Sequence, residues 1–245
     1  MMRMIYSLTD RLHPAVIGDD ILCYAQCDVT CYVIKGERGD MLIDTGLPQI
    51  WGGMEKWLAG YDIRQVFLTH AHVDHDYNAA KLQRKGARIL LSERDSTLRQ
   101  NFLSQRLKPT MPKYAPRNRL MTVGGGLMRS PAYTADIFGK DRSLLRRMGY
   151  DADIVPLPGH TYGSCGVYSN GVLYCGDAFT ALWKRPDICP NAVSPGLMRR
   201  SLERIVKLSP KMLACGHGLP LRFDEAYPVI EEYLRRTDKD GRLIR

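Results

Sequence analysis

The sequence predicts an α/β fold in which two β-sheets pack together and carry helices on their outer faces. Three observations predict it. Strand-like runs open the chain and give way to helix–strand units, and that order returns in the closing third. A length of 245 residues suffices to bury a sizeable core in one large domain or two small ones. The composition, 44% hydrophobic and 25% charged, is that of an ordinary globular protein. Neither a short internal repeat nor a dividing linker is visible, so residues 1–245 read as a single domain.

The elements follow in order. Ile21–Gln26 and Thr30–Lys35 are strand-like, and Gly36-Glu37-Arg38-Gly39-Asp40 turns the chain into a third strand, Met41–Asp44. Thr45-Gly46 breaks that strand, and a helix is expected over Ile50–Leu58. Gln65-Val66-Phe67-Leu68-Thr69 is a short apolar and β-branched run that ends at His70. A helix around Tyr77–Arg84, a strand Arg88–Leu91 and a helix from Glu93, with Ser92 as its N-cap, come next. Residues 107–150 lack a clean period and contain Pro109, Pro112, Pro116, Gly124-Gly125-Gly126 and Pro131. So long an irregular stretch suggests a substrate-capping insertion. Gly124–Gly126 has neither the strand-to-helix context nor the Lys-Ser/Thr of a phosphate loop, and its expected role is flexibility.

The closing third resumes the strand pattern. Ile154-Val155-Pro156-Leu157 leads into Pro158-Gly159-His160, and Cys165–Tyr168 and Val172–Cys175 form a hairpin across Ser169-Asn170-Gly171. Met198, Leu202, Ile205 and Val206 share one helical face. Met212-Leu213-Ala214-Cys215 is a final strand into Gly216-His217-Gly218, and residues 224–237 form a last amphipathic helix.

Bulk features narrow the function. The first twenty residues hold charge and proline without an apolar core segment, and no apolar run approaches membrane-spanning length, so a cytoplasmic protein without membrane contact is expected. The seven cysteines suit reduced thiols better than a disulfide framework. Cys23, Cys27 and Cys31 repeat every four residues, but zinc pairs come closer and this segment alternates like strands, which makes them buried structural thiols. The same reading holds for Cys165, Cys175 and Cys215. The formal charge is +9, with clusters at Arg99, Arg106, Lys108, Lys113, Arg117 and Arg119 and again at Arg235, Arg236, Lys239, Arg242 and Arg245. No nucleic-acid motif accompanies them, so nucleic acid is not an expected partner, and the excess favours an acidic small molecule.

Chemistry concentrates in histidine. The chain has six, and three fall in His70-Ala71-His72-Val73-Asp74-His75. His70 and His72 leave a strand end on the same side because side chains alternate with period two. Asp74 and His75 follow as the chain turns toward a helix and face a neighbouring position. The motif therefore offers ligands to two adjacent metal ions, and imidazole with carboxylate suits zinc, iron or manganese. A lone buried histidine is more often a hydrogen-bonded core residue. Three with an aspartate at this spacing would be costly to pack without an ion. His160 and His217 each end a strand-like run beside glycine, as does Asp177 after Gly176. His13 reads as an ordinary surface or packing residue.

With these motifs in place, the sequence resembles the metallo-β-lactamase superfamily. Leu42-Ile43-Asp44-Thr45-Gly46, His70–His75, Pro158-Gly159-His160-Thr161, Gly176-Asp177 and Gly216-His217-Gly218 occur in the order of that family, over nearly the whole chain. The resemblance implies a four-layer αβ/βα sandwich with a metal site at one edge. It implies one metal on His70, His72 and His160, a second on Asp74, His75 and His217, Asp177 bridging both, and Asp44 supporting the histidine loop from behind. Two divalent ions, zinc in the first place and iron or manganese otherwise, would share a hydroxide that attacks an ester, lactone, thioester, amide or phosphoester. Asp74 would orient it and shuttle its proton. Tyr162 is as readily a packing residue as a catalytic one.

Departures from the subfamilies narrow the activity. Asp177 stands where the zinc β-lactamases carry cysteine. Only about 28 residues follow His217, too few for the helical domain with which enzymes of the glyoxalase II type clasp glutathione. No nuclease-type insertion is evident. A lactonase-like or thioesterase-like hydrolase of a small molecule is therefore expected, with residues 107–150 and 180–195 as substrate walls and Trp183, Lys184 and Arg185 facing an anionic group. The competitors are a mononuclear iron oxidoreductase of the persulfide dioxygenase type, using His70, His160 and Asp177, a phosphodiesterase or nuclease, and a non-catalytic metal-binding domain. The oligomeric state has no signature in the sequence.

Overall fold

A computed structural model describes residues 15–17, 21–98, 101, 104–116, 118, 129–139, 141–182 and 185–244. Its strands in chain order are β1 Ala15–Ile17, β2 Ile21–Gln26, β3 Val29–Ile34, β4 Asp40–Ile43, β5 Ile63–Phe67, β6 Arg88–Ser92, β7 Lys108–Pro109 and β8 Ala135–Phe138. They continue with β9 Asp153–Pro156, β10 Cys165–Ser169, β11 Val172–Gly176, β12 Phe179–Thr180, β13 Asp187–Ile188, β14 Asn191–Ala192, β15 Met212–Cys215 and β16 Leu221–Arg222. The helices are α1 Trp51–Leu58, α2 Val73–Asp76, α3 Ala79–Arg84, α4 Leu144–Arg147, α5 Pro195–Leu208 and α6 Phe223–Arg236.

Two sheets carry the fold. The first runs β1-β2-β3-β4-β5-β6-β8, antiparallel up to β4 and parallel from β4 to β8. The second runs β16-β15-β11-β10-β9, with β11 and β15 parallel. Period-two alternation assigns the faces. Tyr32, Ile43 and Phe67 meet Val167, Tyr174 and Ala214 in one buried cluster between the sheets. Their neighbours Leu42 and Val66 lie in a second cluster with Met54, Leu58 and Leu82 of α1 and α3. Leu173 and Leu213 lie in a third with Met198, Leu202 and Ile230 of α5 and α6. Three apolar layers between four structural ones are the expected αβ/βα sandwich.

The element bounds differ from expectation where tertiary contacts intervene. Asp44 leaves its strand in the left-handed region at φ 58°, so β4 ends at Ile43. The expected helix around Tyr77–Arg84 begins earlier as α2 and resumes as α3, because Asn78 turns inward: its Nδ2 donates to the carbonyls of Thr45, Gly46 and Leu47. Ser92 caps no helix; Glu93–Asp95 is a single 3₁₀ turn without a side-chain cap. Cys27 is exposed in the β2–β3 turn at φ 54°, unlike the buried Cys23 and Cys31.

The stretch 107–150 is also less irregular than its prolines suggest. β8 adds a parallel edge strand to the first sheet, with Phe138 stacked on Phe67 at 5.4 Å between ring centroids. Farther upstream, β7 pairs with β14. Gly124–Gly126 and His13 lie outside the described residues.

Candidate metal centre

The first group of side chains leaves the carboxyl end of β5. Leu68 and Thr69 carry the chain from Phe67 to His70, and α2 places Asp74 and His75 one turn on, its first bonds running from the His75 and Asp76 amides to the His72 carbonyl. Asp44 ties this loop to β4. Its Oδ1 accepts from the Thr69 amide at 2.8 Å, and its Oδ2 accepts from the Thr69 hydroxyl at 2.8 Å and from His75 Nδ1 at 2.9 Å. Aspartate tolerates the left-handed backbone better than most residues, which lets one side chain reach both partners.

The second group comes from the other sheet. His160 follows β9, Asp177 follows β11 and His217 follows β15. Their loops interlock with the first group: the Cys165 amide donates to Thr69 O at 2.9 Å, and the Thr30 amide donates to Gly216 O at 2.9 Å. Glycine is required twice here. A Cβ on Gly216 would lie 2.6 Å from both Asp177 Oδ1 and His75 Cε1, and one on Gly176, at φ 51°, would lie 2.6 Å from Thr69 Oγ1.

The seven side chains singled out in the sequence converge. His72 Nδ1 lies 2.8 Å from His160 Nε2, and His70 stands edge-on to both rings at 4.7 Å between centroids. Asp177 reaches His160 Nε2 at 3.4 Å, His217 Nε2 at 3.3 Å and His75 Nε2 at 3.5 Å. Asp74 Oδ2 lies 3.4 Å from His217 Nε2 and 3.9 Å from His75 Nε2. Donor atoms of His70, His72 and His160 lie within 4.8 Å of one another, as do those of His70, His75 and Asp177 and those of Asp74, His75 and His217.

The outer nitrogens show how the rings are aimed. His75 Nδ1 donates to Asp44, His160 Nδ1 to the Asn191 carbonyl at 2.8 Å, and His217 Nδ1 to the Asp28 carbonyl at 2.8 Å. His70 Nδ1 meets Thr69 Oγ1 at 3.1 Å, a hydroxyl already donating to Asp44 and so an acceptor here. Each of these four rings thus turns Nε2 inward, the arrangement that outer-sphere hydrogen bonds impose on metal-binding histidines.

The electrostatics call for added positive charge. Burial, reinforced by neighbouring imidazoles, holds His70 well below its ordinary value and His72 down at about 3. Burial also acts downward on His75, yet the Asp44, Asp177 and Asp74 carboxylates together raise it to about 10. Burial opposes protonation of His217 as well, and Asp177 and Asp74 raise it to about 9. Asp177 resists its own burial and is held well below the usual carboxylate range by His217, His75 and His160. His70 Nε2, His75 Nε2 and Asp177 Oδ1 are buried without a hydrogen-bond partner. Buried orphaned nitrogens beside anionic oxygens are the donor set that divalent cations satisfy, so the residues fit metal ions.

Several residues of the site escaped the sequence. Asp95, fully buried, accepts from the Ala71 amide at 3.3 Å, the Thr161 hydroxyl at 2.7 Å, the Gly163 amide at 2.9 Å and Gln105 Nε2 at 3.1 Å. One carboxylate thereby fastens the His70–His75 loop to the His160 loop. Asp76 accepts from Ser130 and, at 2.8 Å, from Tyr133, and its burial raises it to about 6. Asn191 and Cys189 flank His160. Asp95 sits in an unremarkable Glu-Arg-Asp-Ser run, and only tertiary contact reveals it. Cys189, in Asp-Ile-Cys-Pro-Asn, had one available signal: a cysteine in a loop already suspected of walling the site. Arg185 is described and exposed, whereas Trp183 and Lys184 lie outside the described residues. Tyr162 is exposed, and its amide donates to Gln105 Oε1 at 2.7 Å.

A histidine–carboxylate cluster able to hold metal ions thus sits at the edge where two sheets meet, with helices outside. The chain belongs to the metallo-beta-lactamase superfamily, whose family model matches residues 24–217. It is 29% identical over 217 residues to the uncharacterized protein YobT of Bacillus subtilis, covering 79% of this chain and 84% of YobT. It is 28% identical over 151 residues to a hydroxyacylglutathione hydrolase of Pseudomonas fluorescens, covering 61% of this chain but only 44% of that enzyme. The metallo-beta-lactamase family protein TTHA1429 from Thermus thermophilus superposes with a TM-score of 0.63 at 22% identity, over 88% of this chain and 77% of that one. Among the described residues no helix is long and apolar enough to cross a membrane.

Proposed function

We propose that this chain is a binuclear metal-dependent hydrolase that cleaves an ester, lactone, thioester or related bond of a small, anionic substrate in the cytoplasm. The observation that carries the reading is the convergence of His70, His72 and His160 with Asp74, His75 and His217 around Asp177. In this reading the first three would hold one ion and the second three the other, with Asp177 serving both. Zinc suits the imidazole and carboxylate donors best, with iron or manganese as alternatives. Two such ions supply Lewis-acid polarisation of the scissile bond and water of lowered pKa.

The protein's own groups do the rest. The Asp74 and His217 side chains are about one-fifth exposed, against a nearly sealed Asp177 and His75, so substrate approaches from their side. Asp74, beside His217 at the exposed edge of the cluster, would take the proton of the attacking water on a carboxylate oxygen and return it to the leaving group. Asp44 acts through His75, fixing its ring by the 2.9 Å bond to Nδ1. The relatives named hydroxyacylglutathione hydrolase support hydrolysis as the reaction class; the chain spans less than half of their length, and their substrate is not carried over. A single-iron oxidoreductase would use only His70, His160 and Asp177, and the cluster of Asp74, His75 and His217 favours two ions.

Elemental analysis of natively purified protein, joined to a lactone, thioester and phosphodiester screen, tests the proposal. Two transition-metal equivalents per chain and turnover on one class are expected, with Asp74→Asn lowering kcat by about 10²–10⁴-fold. One equivalent of iron would support the oxidoreductase instead, and tight metal with no turnover would support a binding domain. A protein without transition metal that loses nothing on His72→Ala would sink the reading.

A further inference from the structure

We propose that the cavity between β7, the start of α5 and the C-terminal turn is a binding site for the anionic head of a small acid. The site goes beyond the hydrolase reading and does not depend on it. The cavity has a volume of about 590 Å³. Small-molecule sites span roughly 300–1,000 Å³.

Three cations line the cavity: Lys108 of β7, Arg200 in the second turn of α5, and Arg242 of the C-terminal turn. A single carboxylate, Asp240, stands against them. Other basic side chains of the surface are engaged: Arg146 grips Asp153, Arg222 grips Asp224 and Arg235 grips Glu232. Arg199, the chain neighbour of Arg200, donates to the Leu234 carbonyl at 2.6 Å and the Thr237 hydroxyl at 3.1 Å. Among the described residues no carboxylate pairs with the charged heads of Lys108, Arg200 or Arg242. A cleft lined by one sign of charge focuses the field and concentrates counter-ions. The helix adds to the same potential. α5 has no acidic residue in its first turn, Ser194 Oγ accepts only the Leu197 amide, at 3.3 Å, and the Gly196 amide lacks an intrahelical acceptor.

The walls are fixed by backbone. Asp238 Oδ1 accepts from the Asp240 and Arg242 amides, both at 2.9 Å, which sets the C-terminal turn. That turn presses on α5 so closely that both contacts need glycine. A Cβ on Gly241, at φ 73°, would lie 2.5 Å from the Pro195 carbonyl carbon, and one on Gly196 would lie 3.0 Å from Asp240 Cα. On the other side Lys108 pairs with Ala192 in the β7–β14 ribbon, and the Thr110 amide donates to the Pro190 carbonyl at 3.0 Å. Met111, Pro112 and Leu243 give the cavity an apolar part, which favours an organic acid over a bare ion. The β14 wall also reaches the metal centre: the Asn191 carbonyl accepts from His160 Nδ1 at 2.8 Å, and the Val193 amide donates to the His160 carbonyl at 3.1 Å. One short strand thus serves both places.

Phenylphosphonate titrated into the full-length protein, followed by the amide resonances of Gly196 and Leu197, tests the site, with inorganic phosphate as the second probe. Saturable shifts are expected. Tighter phenylphosphonate identifies an organic acid as the ligand, equal affinity identifies free phosphate, and either supports the site. Arg200→Gln and Lys108→Gln, both at exposed positions, should each weaken binding roughly tenfold or more. Asp240→Asn, which removes the opposing charge, should tighten it. Shifts confined to Gly216 and Gly218 put the anion on the metal centre and overturn the site. So does a response at Gly196 that fails to saturate or survives both substitutions. Each of these failures leaves the hydrolase reading standing, since metal content and turnover are measured separately.

Discussion

At the scale of single residues, the site behaves as a cavity for positive charge. Without metal, His75 at about 10 and His217 at about 9 hold protons near neutral pH, and ligation requires both to give them up. Metal uptake at pH 7 should therefore release up to two protons from these rings, and affinity should rise with pH up to about 10. Titration calorimetry in two buffers of different ionisation enthalpy measures the number; a value of zero at pH 7 would contradict the assignment. The metal-free protein should show the opposite trend. Both rings have folded values above their ordinary 6.5, so their contribution to stability is complete below that value and is lost as pH rises through about 9 and 10. Gly216→Ala tests the packing: its Cβ would press on Asp177 and His75, costing about 1–3 kcal/mol in urea unfolding and abolishing tight metal binding.

At the scale of elements, the loops are held by buried carboxylates more than by their own helices. Asp95→Ala removes the acceptor shared by the loops of Ala71 and of Thr161 and Gly163, and should cost about 2–4 kcal/mol with weaker metal binding. Asp95→Asn, which keeps an acceptor oxygen, should recover part of both losses. This element-to-element wiring also marks where sequence reading stops. Strands such as Val172–Gly176 were legible because alternation and an Asn-Gly turn are local properties, and the candidate ligands were legible as a cluster because histidine is scarce and grouped. Asp95, Asn191 and Cys189 were not, since each gains its role from a partner far along the chain. β8 was hidden by the prolines and glycines upstream of it, although Phe138 against Phe67 makes it part of the core. Phe138→Ala should destabilise the fold by about 3–5 kcal/mol, read by thermal or urea unfolding.

At the scale of the whole molecule, the candidate ligands divide between two consecutive halves of the chain. The first sheet, built between Ala15 and Phe138, presents His70, His72, Asp74 and His75, and the second, built between Asp153 and Arg222, presents His160, Asp177 and His217. Ions held by both sheets bind the folded state alone, so saturating metal should stabilise the protein by about 4 kcal/mol at a free concentration a thousand times Kd. A chelator should lower the urea midpoint accordingly, and an unchanged midpoint would mean that the ligands do not share an ion across the halves. The β2–β3 turn crosses the same seam, since the Asp28 carbonyl accepts from His217 Nδ1 and Thr30 bonds the Gly216 and Gly218 carbonyls. Next to Asp28 stands Cys27, exposed while the other six cysteines are buried. A fluorophore attached there would sit one peptide from the carbonyl that orients His217, a ready-made optical gauge of metal arrival that alters no ligand.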